Sequence, residues 1–266
     1  MASQPGTVTY ADGVAILQLI IFPFVTAAGI FIWRRTGWRV GSKIWRYPVT
    51  LSLIRIAGSI CSLISINHDS KNVEIARIVC EMIGIAPLLL TYVGLLRQID
   101  ADGRLPLRYL NVLSIVCIIG LILGIAGVSS TSGDNTADGF HASAIVKASM
   151  GIFLAVFAII ALTASWLFLQ LHGALRQFQK KLFLALVLSF PFLLVRVVYS
   201  AMSDYSNNRH FDVYYGNTTI YLCMNVLEEI VAMVITVVLG MSAVLSRDFI
   251  QPTSVPMDSE PKYDHA

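Results

Sequence analysis

Residues 220–240 read Ile-Tyr-Leu-Cys-Met-Asn-Val-Leu-Glu-Glu-Ile-Val-Ala-Met-Val-Ile-Thr-Val-Val-Leu-Gly. A helix of about 20 apolar residues crosses the roughly 30 Å hydrocarbon core of a bilayer, and this stretch is long enough to do so. It nevertheless carries two adjacent carboxylates, Glu228 and Glu229, near its middle. A charge at that depth costs several kcal/mol unless something pairs with it or protonates it. The rest of the chain must supply the reason for them.

The 266-residue chain is 56% hydrophobic and only 13% charged. Soluble domains are closer to a quarter charged, so lipid rather than water solvates much of this surface. Seven apolar runs of near-spanning length occur at 14–33, 47–66, 73–96, 109–128, 145–171, 182–202 and 220–245. Helix is the sensible assignment for each, because a lone open strand leaves backbone groups unsatisfied in lipid. The expected fold is therefore all-α, a polytopic seven-transmembrane-helix bundle. One membrane domain occupies residues 1–250, and the Pro- and charge-rich tail 251–266 is expected to be disordered.

Basic residues alternate by side. Arg34, Arg35, Arg39, Lys43 and Arg46 follow the first run, Arg97, Arg104 and Arg108 the third, and Arg176, Lys180 and Lys181 the fifth. The opposite side offers Lys71 and Arg209. The positive-inside rule then places the N-terminus outside or in a lumen and the C-terminal tail in the cytosol. Asn217-Thr218-Thr219 is a glycosylation sequon on the side expected to be lumenal. Trp33, Trp38, Trp45 and Tyr47 cluster where an interfacial belt should lie on the inner face. No Lys or Arg precedes the first apolar run, so no cleavable signal peptide is expected. The expected location is an endomembrane such as the endoplasmic reticulum, or the plasma membrane.

Several chemistries lack their residues. Cys61, Cys80, Cys117 and Cys223 lie in separate apolar segments at no metal-binding spacing and read as packing residues. The five histidines are scattered, no glycine-rich phosphate loop is present, and the last span has no lysine for a Schiff base. No cofactor and no nucleic-acid partner is expected; the implied partners are the bilayer and a hydrophobic small molecule. Gly120-Leu-Ile-Leu-Gly124 fits a close helix-packing motif. Pro23, Pro87 and Pro191 fall inside the first, third and sixth runs, where they can kink a helix and free a carbonyl.

Beyond the Glu228-Glu229 pair, the apolar runs contain Arg55, Glu74, Arg77, Glu81, Lys147, Arg196 and, at the outer rim, Asp204. Glu74, Arg77 and Glu81 share one helix face by their spacing. Counting from the expected outer ends puts Arg196 about 9 Å deep, Glu81 about 12 Å, Glu228 about 15 Å and Arg55 about 16 Å. Four helices thus bring charge to similar depths. The plainer reading is a structural network in which Arg55, Arg77 and Arg196 neutralise the acids and fix how the helices meet. The sharper one is the polar end of an intramembrane site, since ionisable residues at that depth usually mark function. Glu228 and Glu229 differ by about 100° around a helix, so one partner cannot serve both equally. A carboxyl left in an apolar wall without a cation keeps its proton and becomes a candidate acid.

At Pro191-Phe-Leu-Leu-Val-Arg196-Val-Val-Tyr199-Ser200, together with Glu228-Glu229, the chain resembles a group of uncharacterised seven-span integral membrane proteins of filamentous fungi. Arg196-x-x-Tyr199 is also similar to a feature of the fungal lipid-translocating exporter family, although Ser200 to Ser203 lack the further basic residue and acid expected there. In size, span count and intramembrane acids the chain is similar to the compact membrane terpene cyclases of fungal meroterpenoid pathways. That likeness implies metal-free cyclisation of a prenylated precursor in secondary metabolism. Glu81, Glu228 or Glu229 would then supply the proton, with Arg55, Arg77, Arg196 and Tyr199 orienting acid or substrate, among aromatics whose π faces stabilise a cation. The competing expectation is a non-enzymatic lipid transporter or membrane sensor that uses the same charges as a headgroup site.

Overall fold

In lipid, a segment can satisfy its backbone polar groups alone only as helix. The computed structural model describes residues 10–42, 44–65, 79–80, 83–100, 104–131, 143–171, 176–205 and 218–246, and among them there is no strand. Its principal helices are α1 (Tyr10–Thr36), α2 (Arg46–Ser65), α3 (Ile85–Ile99), α4 (Leu107–Thr131), α5 (Ala144–Leu171), α6 (Gln177–Tyr205) and α7 (Leu227–Val244). A short helix Thr218–Tyr221 and a π-helical turn Leu222–Val226 lead continuously into α7. Among the described residues, six stretches are long and apolar enough to cross a membrane: Asp12–Thr36, Arg46–Ser65, Arg108–Val128, Ala144–Gln170, Gln177–Tyr205 and Thr219–Val244. The chain is therefore an all-helical, multi-pass membrane protein with lipid as its environment.

The third apolar run is described only in part, with Val79, Cys80 and Ile83 helical ahead of α3. α3 itself has 15 residues and so measures about 22 Å. Every α3 side chain except Arg97 is buried, as a helix apolar on all faces requires. It packs against α2, α4, α5 and α6, which makes it the axis of the bundle. The most extensive helix pairs are α6 with α7 and α1 with α2, and α1 closes on α7.

Small residues set the close approaches, because lipid gives helices little hydrophobic reason to associate and contact must come from packing. A Cβ on Gly120 would meet Phe153 and Ile152 at 3.0 and 3.1 Å, and one on Gly124 would meet Ser149 Oγ at 3.3 Å. The Gly120–Gly124 motif thus forms the seam between α4 and α5. Gly240 does the same for α7 against Trp45, whose indole carbons Cζ2 and Cζ3 would lie 3.0 and 3.1 Å from an added Cβ. Trp45 is fully buried, which corrects its expected place in an interfacial belt: the missing side chain at Gly240 gives its indole a slot in the core. Trp38 remains 65% exposed and stacks on Trp33 at 5.0 Å.

Candidate functional site

The polar centre begins with α2. Its buried face carries Ser52, Arg55, Ser59 and Ser62, spaced so that they fall on one side of the helix. Ser59 Oγ donates to both the Arg55 carbonyl at 2.8 Å and Gln18 Oε1 of α1 at 3.0 Å, extending the polar line to a second helix. Arg55 is about 15 Å from the C-terminal end of α2, well inside the membrane. Its side chain is 2% exposed.

Glu229 answers it from α7. The π-helical turn adds a residue to the helical repeat just before α7, and such turns commonly occur where a side chain must be re-aimed. Glu229 is 1% exposed and takes a two-pronged contact from Arg55: Nε donates to Oε1 at 2.5 Å, and Nη2 donates to Oε2. This fork-to-fork geometry is the strongest form of side-chain ion pair. Arg196 of α6, also buried, places Nε 3.5 Å from Glu229 Oε2, within ion-pair range but without hydrogen-bond geometry. Its Nη1 donates to Ser200 Oγ at 2.6 Å one turn further along α6. Arg55, Glu229 and Arg196 therefore join α2, α7 and α6 at one depth, with two cations for one anion.

Gly84, at the N-terminal end of α3, makes room for this pairing. A Cβ there would lie 3.1 Å from Arg55 Cζ and 3.3 Å from Glu229 Oε2, and would meet Nη2 sooner still. The guanidinium slides beneath the start of the central helix only because no side chain is present. Desolvating ions costs several kcal/mol each, and only near-complete pairing offsets it.

Beside the triad lies a cavity of about 50 Å³. Arg196, Ser200, Ser203, Asp204, Asn225 and Ser149 form its polar side, while Leu121 and Phe153 contribute to the apolar wall. At roughly 10–15 Å³ of such volume per water, it has room for a few waters or a group of that size. Asn225 Oδ1 and Arg196 Nε are both buried and make no hydrogen bond among the described residues. Arg196 and the open acceptor of Asn225 thus line one polar pocket. A second, roomier space of about 820 Å³ lies between α5 and α6. Its lining includes Phe168, Phe183, Phe190 and Lys180 but no carboxylate.

The two adjacent glutamates separate. Glu229 faces the bundle interior, and both its oxygens are occupied by guanidinium groups. Glu228 is half-buried, lines neither cavity, and its shielded Oε2 has no hydrogen-bond partner among the described residues. Tyr199 is fully buried on α6 but does not line the small cavity. Glu81, Arg77 and Asn217 lie outside the described residues, as do Glu74 and the tail. Among the described residues, His, Cys, Asp and Glu form no group of three or more that could hold a metal ion.

Asn225, Ser200 and Gly84 contribute to the site without having been singled out from the sequence. Asn225 and Ser200 each carried a signal, standing four residues from Glu229 and Arg196 and hence on the same helix faces. Gly84 carried none, because only the packed geometry shows what its missing side chain admits.

These features define a multi-pass α-helical membrane protein with a buried, hydrogen-bonded charge cluster beside a small polar cavity. The chain belongs to the family of the domain of unknown function DUF7702, which matches residues 8–246 and so takes in every helix described above. No curated protein and no solved structure matches it.

Proposed function

We propose that this protein is a non-enzymatic transporter or sensor that holds the polar head of a hydrophobic small molecule within the membrane. The observation that carries this reading is Arg196: a buried cation that shares Glu229 with Arg55 and lines, together with Asp204, a cavity with an unsatisfied acceptor at Asn225. A hydroxyl head, or a carboxylic acid that keeps its proton, matches that room, since it can accept from Arg196 and donate to Asn225 Oδ1, and the apolar wall beyond receives the first part of a tail. The Arg55–Glu229 pair is the fixed frame that keeps α2 and α7 in register around it. In the same reading the run at 73–96 is the third of seven crossings, and the basic loops face the cytosol in an endomembrane.

Cyclisation of a prenylated precursor is the second reading, and one observation favours it: Glu228 has a shielded oxygen with no partner, as a proton donor would. Two observations weigh against it. The small cavity, whose lining acid is Asp204, is far smaller than an isoprenoid chain, and the larger space has no acid in its lining. Microsomes carrying the wild type, Glu81→Gln, Glu228→Gln or Glu229→Gln, supplied with prenylated precursors, separate the two. The transporter or sensor reading expects no new compound from any of them; a product made by the wild type and lost in Glu228→Gln overturns it.

A further inference from the structure

The space of about 820 Å³ between α5 and α6 has a built wall. Two stacked pairs, Phe157 with Phe190 at 5.0 Å and Phe168 with Phe183 at 4.9 Å, cross the seam between these helices. Ala161, Ala164 and Ser165 on α5 are small enough to leave a trough beside them. Leu169 is 76% exposed and Val187 49% exposed, so the trough opens toward lipid. Its volume lies in the 300–1,000 Å³ range of sites that enclose most of a bound ligand.

One end of the trough is cationic. Lys180 lines it and is exposed. Arg104 donates from Nη1 to the Gln170 carbonyl at 2.7 Å, which holds its guanidinium at the end of α5, one residue along from the Leu169 of the lining. The neighbouring Lys181 is committed elsewhere, to the Ser242 carbonyl and Ser246 Oγ. Asp100 accepts the backbone N–H groups of Arg104 and Leu105. From Lys180 to Phe190 the helix rises about 15 Å, half the hydrocarbon core and therefore the depth of one leaflet.

We infer that the trough binds one acyl chain of an anionic glycerophospholipid from the leaflet that meets the basic loops, with its phosphate between Lys180 and Arg104. A cation at the interface above an apolar channel one leaflet deep complements an anionic lipid and gives no comparable gain to a zwitterionic one. Each basic residue near the membrane surface contributes roughly fivefold to anionic-lipid affinity, so the pair should contribute about 25-fold. This site is separate from the headgroup cavity and does not depend on it.

The test is native mass spectrometry of the full-length protein in detergent with equal phosphatidylglycerol and phosphatidylcholine. The wild type should retain phosphatidylglycerol at least about tenfold over phosphatidylcholine. Lys180→Gln and Arg104→Gln should each lower that preference about fivefold and together abolish it. Ser165→Trp, at an exposed position, should fill the trough and reduce retention of both lipids without changing thermal unfolding. Arg34→Gln, a basic residue at the end of α1, should change nothing. Equal retention by the wild type overturns the inference, as does preference surviving the double substitution, retention unchanged in Ser165→Trp, or equal sensitivity to Arg34→Gln.

Discussion

Replacing Glu229 by Gln should be among the most damaging single changes this protein can suffer. The substitution keeps the shape of the side chain but removes the only anion between two buried guanidinium groups. At 3.5 Å from Arg196, a unit charge pair is worth about 5 kcal/mol at an effective dielectric of about 20. The shorter, forked contact with Arg55 is at least as strong. Part of this is regained, because the variant no longer desolvates a carboxylate, but the two cations then repel each other with nothing between them. Removing one partner of a buried pair typically costs about 3–5 kcal/mol, and the second cation places Glu229→Gln toward the upper end. Among Arg55, Arg196 and Glu229 the net charge is +1; Glu229→Gln raises it to +2, and Arg55→Gln/Glu229→Gln returns it to +1. The double variant should therefore be more stable than Glu229→Gln alone, with a coupling of about 1–3 kcal/mol. Unfolding in mixed detergent micelles, followed by tryptophan fluorescence, measures both. A Glu229→Gln protein within about 0.5 kcal/mol of wild type, or a double variant as unstable as the sum of its parts, would refute the charge-cluster account.

Other expectations follow from the same contacts. Glu228→Gln should shift stability by less than about 0.5 kcal/mol, since Glu228 has no described partner to lose, so adjacent glutamates will differ sharply in the same unfolding assay. Gly84→Ala puts a Cβ against the Arg55 guanidinium and should cost about 1–3 kcal/mol, with Arg55→Gln relieving most of the penalty in the combined variant. Gly240→Ala should cost a similar 1–3 kcal/mol by pushing on Trp45, and the Trp45 emission should move red as its slot opens. An unshifted spectrum and unchanged midpoint would show that the slot is not packed as described.

How much of this could be read from the chain depended on what lipid dictates. Helical structure was legible because no other arrangement lets an isolated apolar segment satisfy its backbone. The depth coincidence of Arg55, Arg196 and the Glu228-Glu229 pair was also legible, since helical rise alone places them. Which glutamate turns inward was not: the two differ by about 100°, and the π-helical turn before Leu227 changes the facing that a regular helix would give. The run at 73–96 was legible as apolar, but not that α3 is the central helix of the bundle, nor that Gly84 at its start makes room for Arg55. Trp45 misled for a similar reason. Interfacial tryptophans and tryptophans inserted against a glycine look identical in sequence, and the partner Gly240 lies on a helix distant along the chain.

The central claim is that the Arg196 cavity holds a polar headgroup. The direct test is binding of oleic acid, whose protonated head can both accept and donate, to purified protein in nanodiscs, compared between wild type and Arg196→Met. The account predicts saturable binding by the wild type, at least about tenfold weaker binding by Arg196→Met because a charge-assisted contact is lost, and recovery of oleic acid unchanged. Equal affinity in the two proteins, with both folded by the unfolding assay, would contradict it.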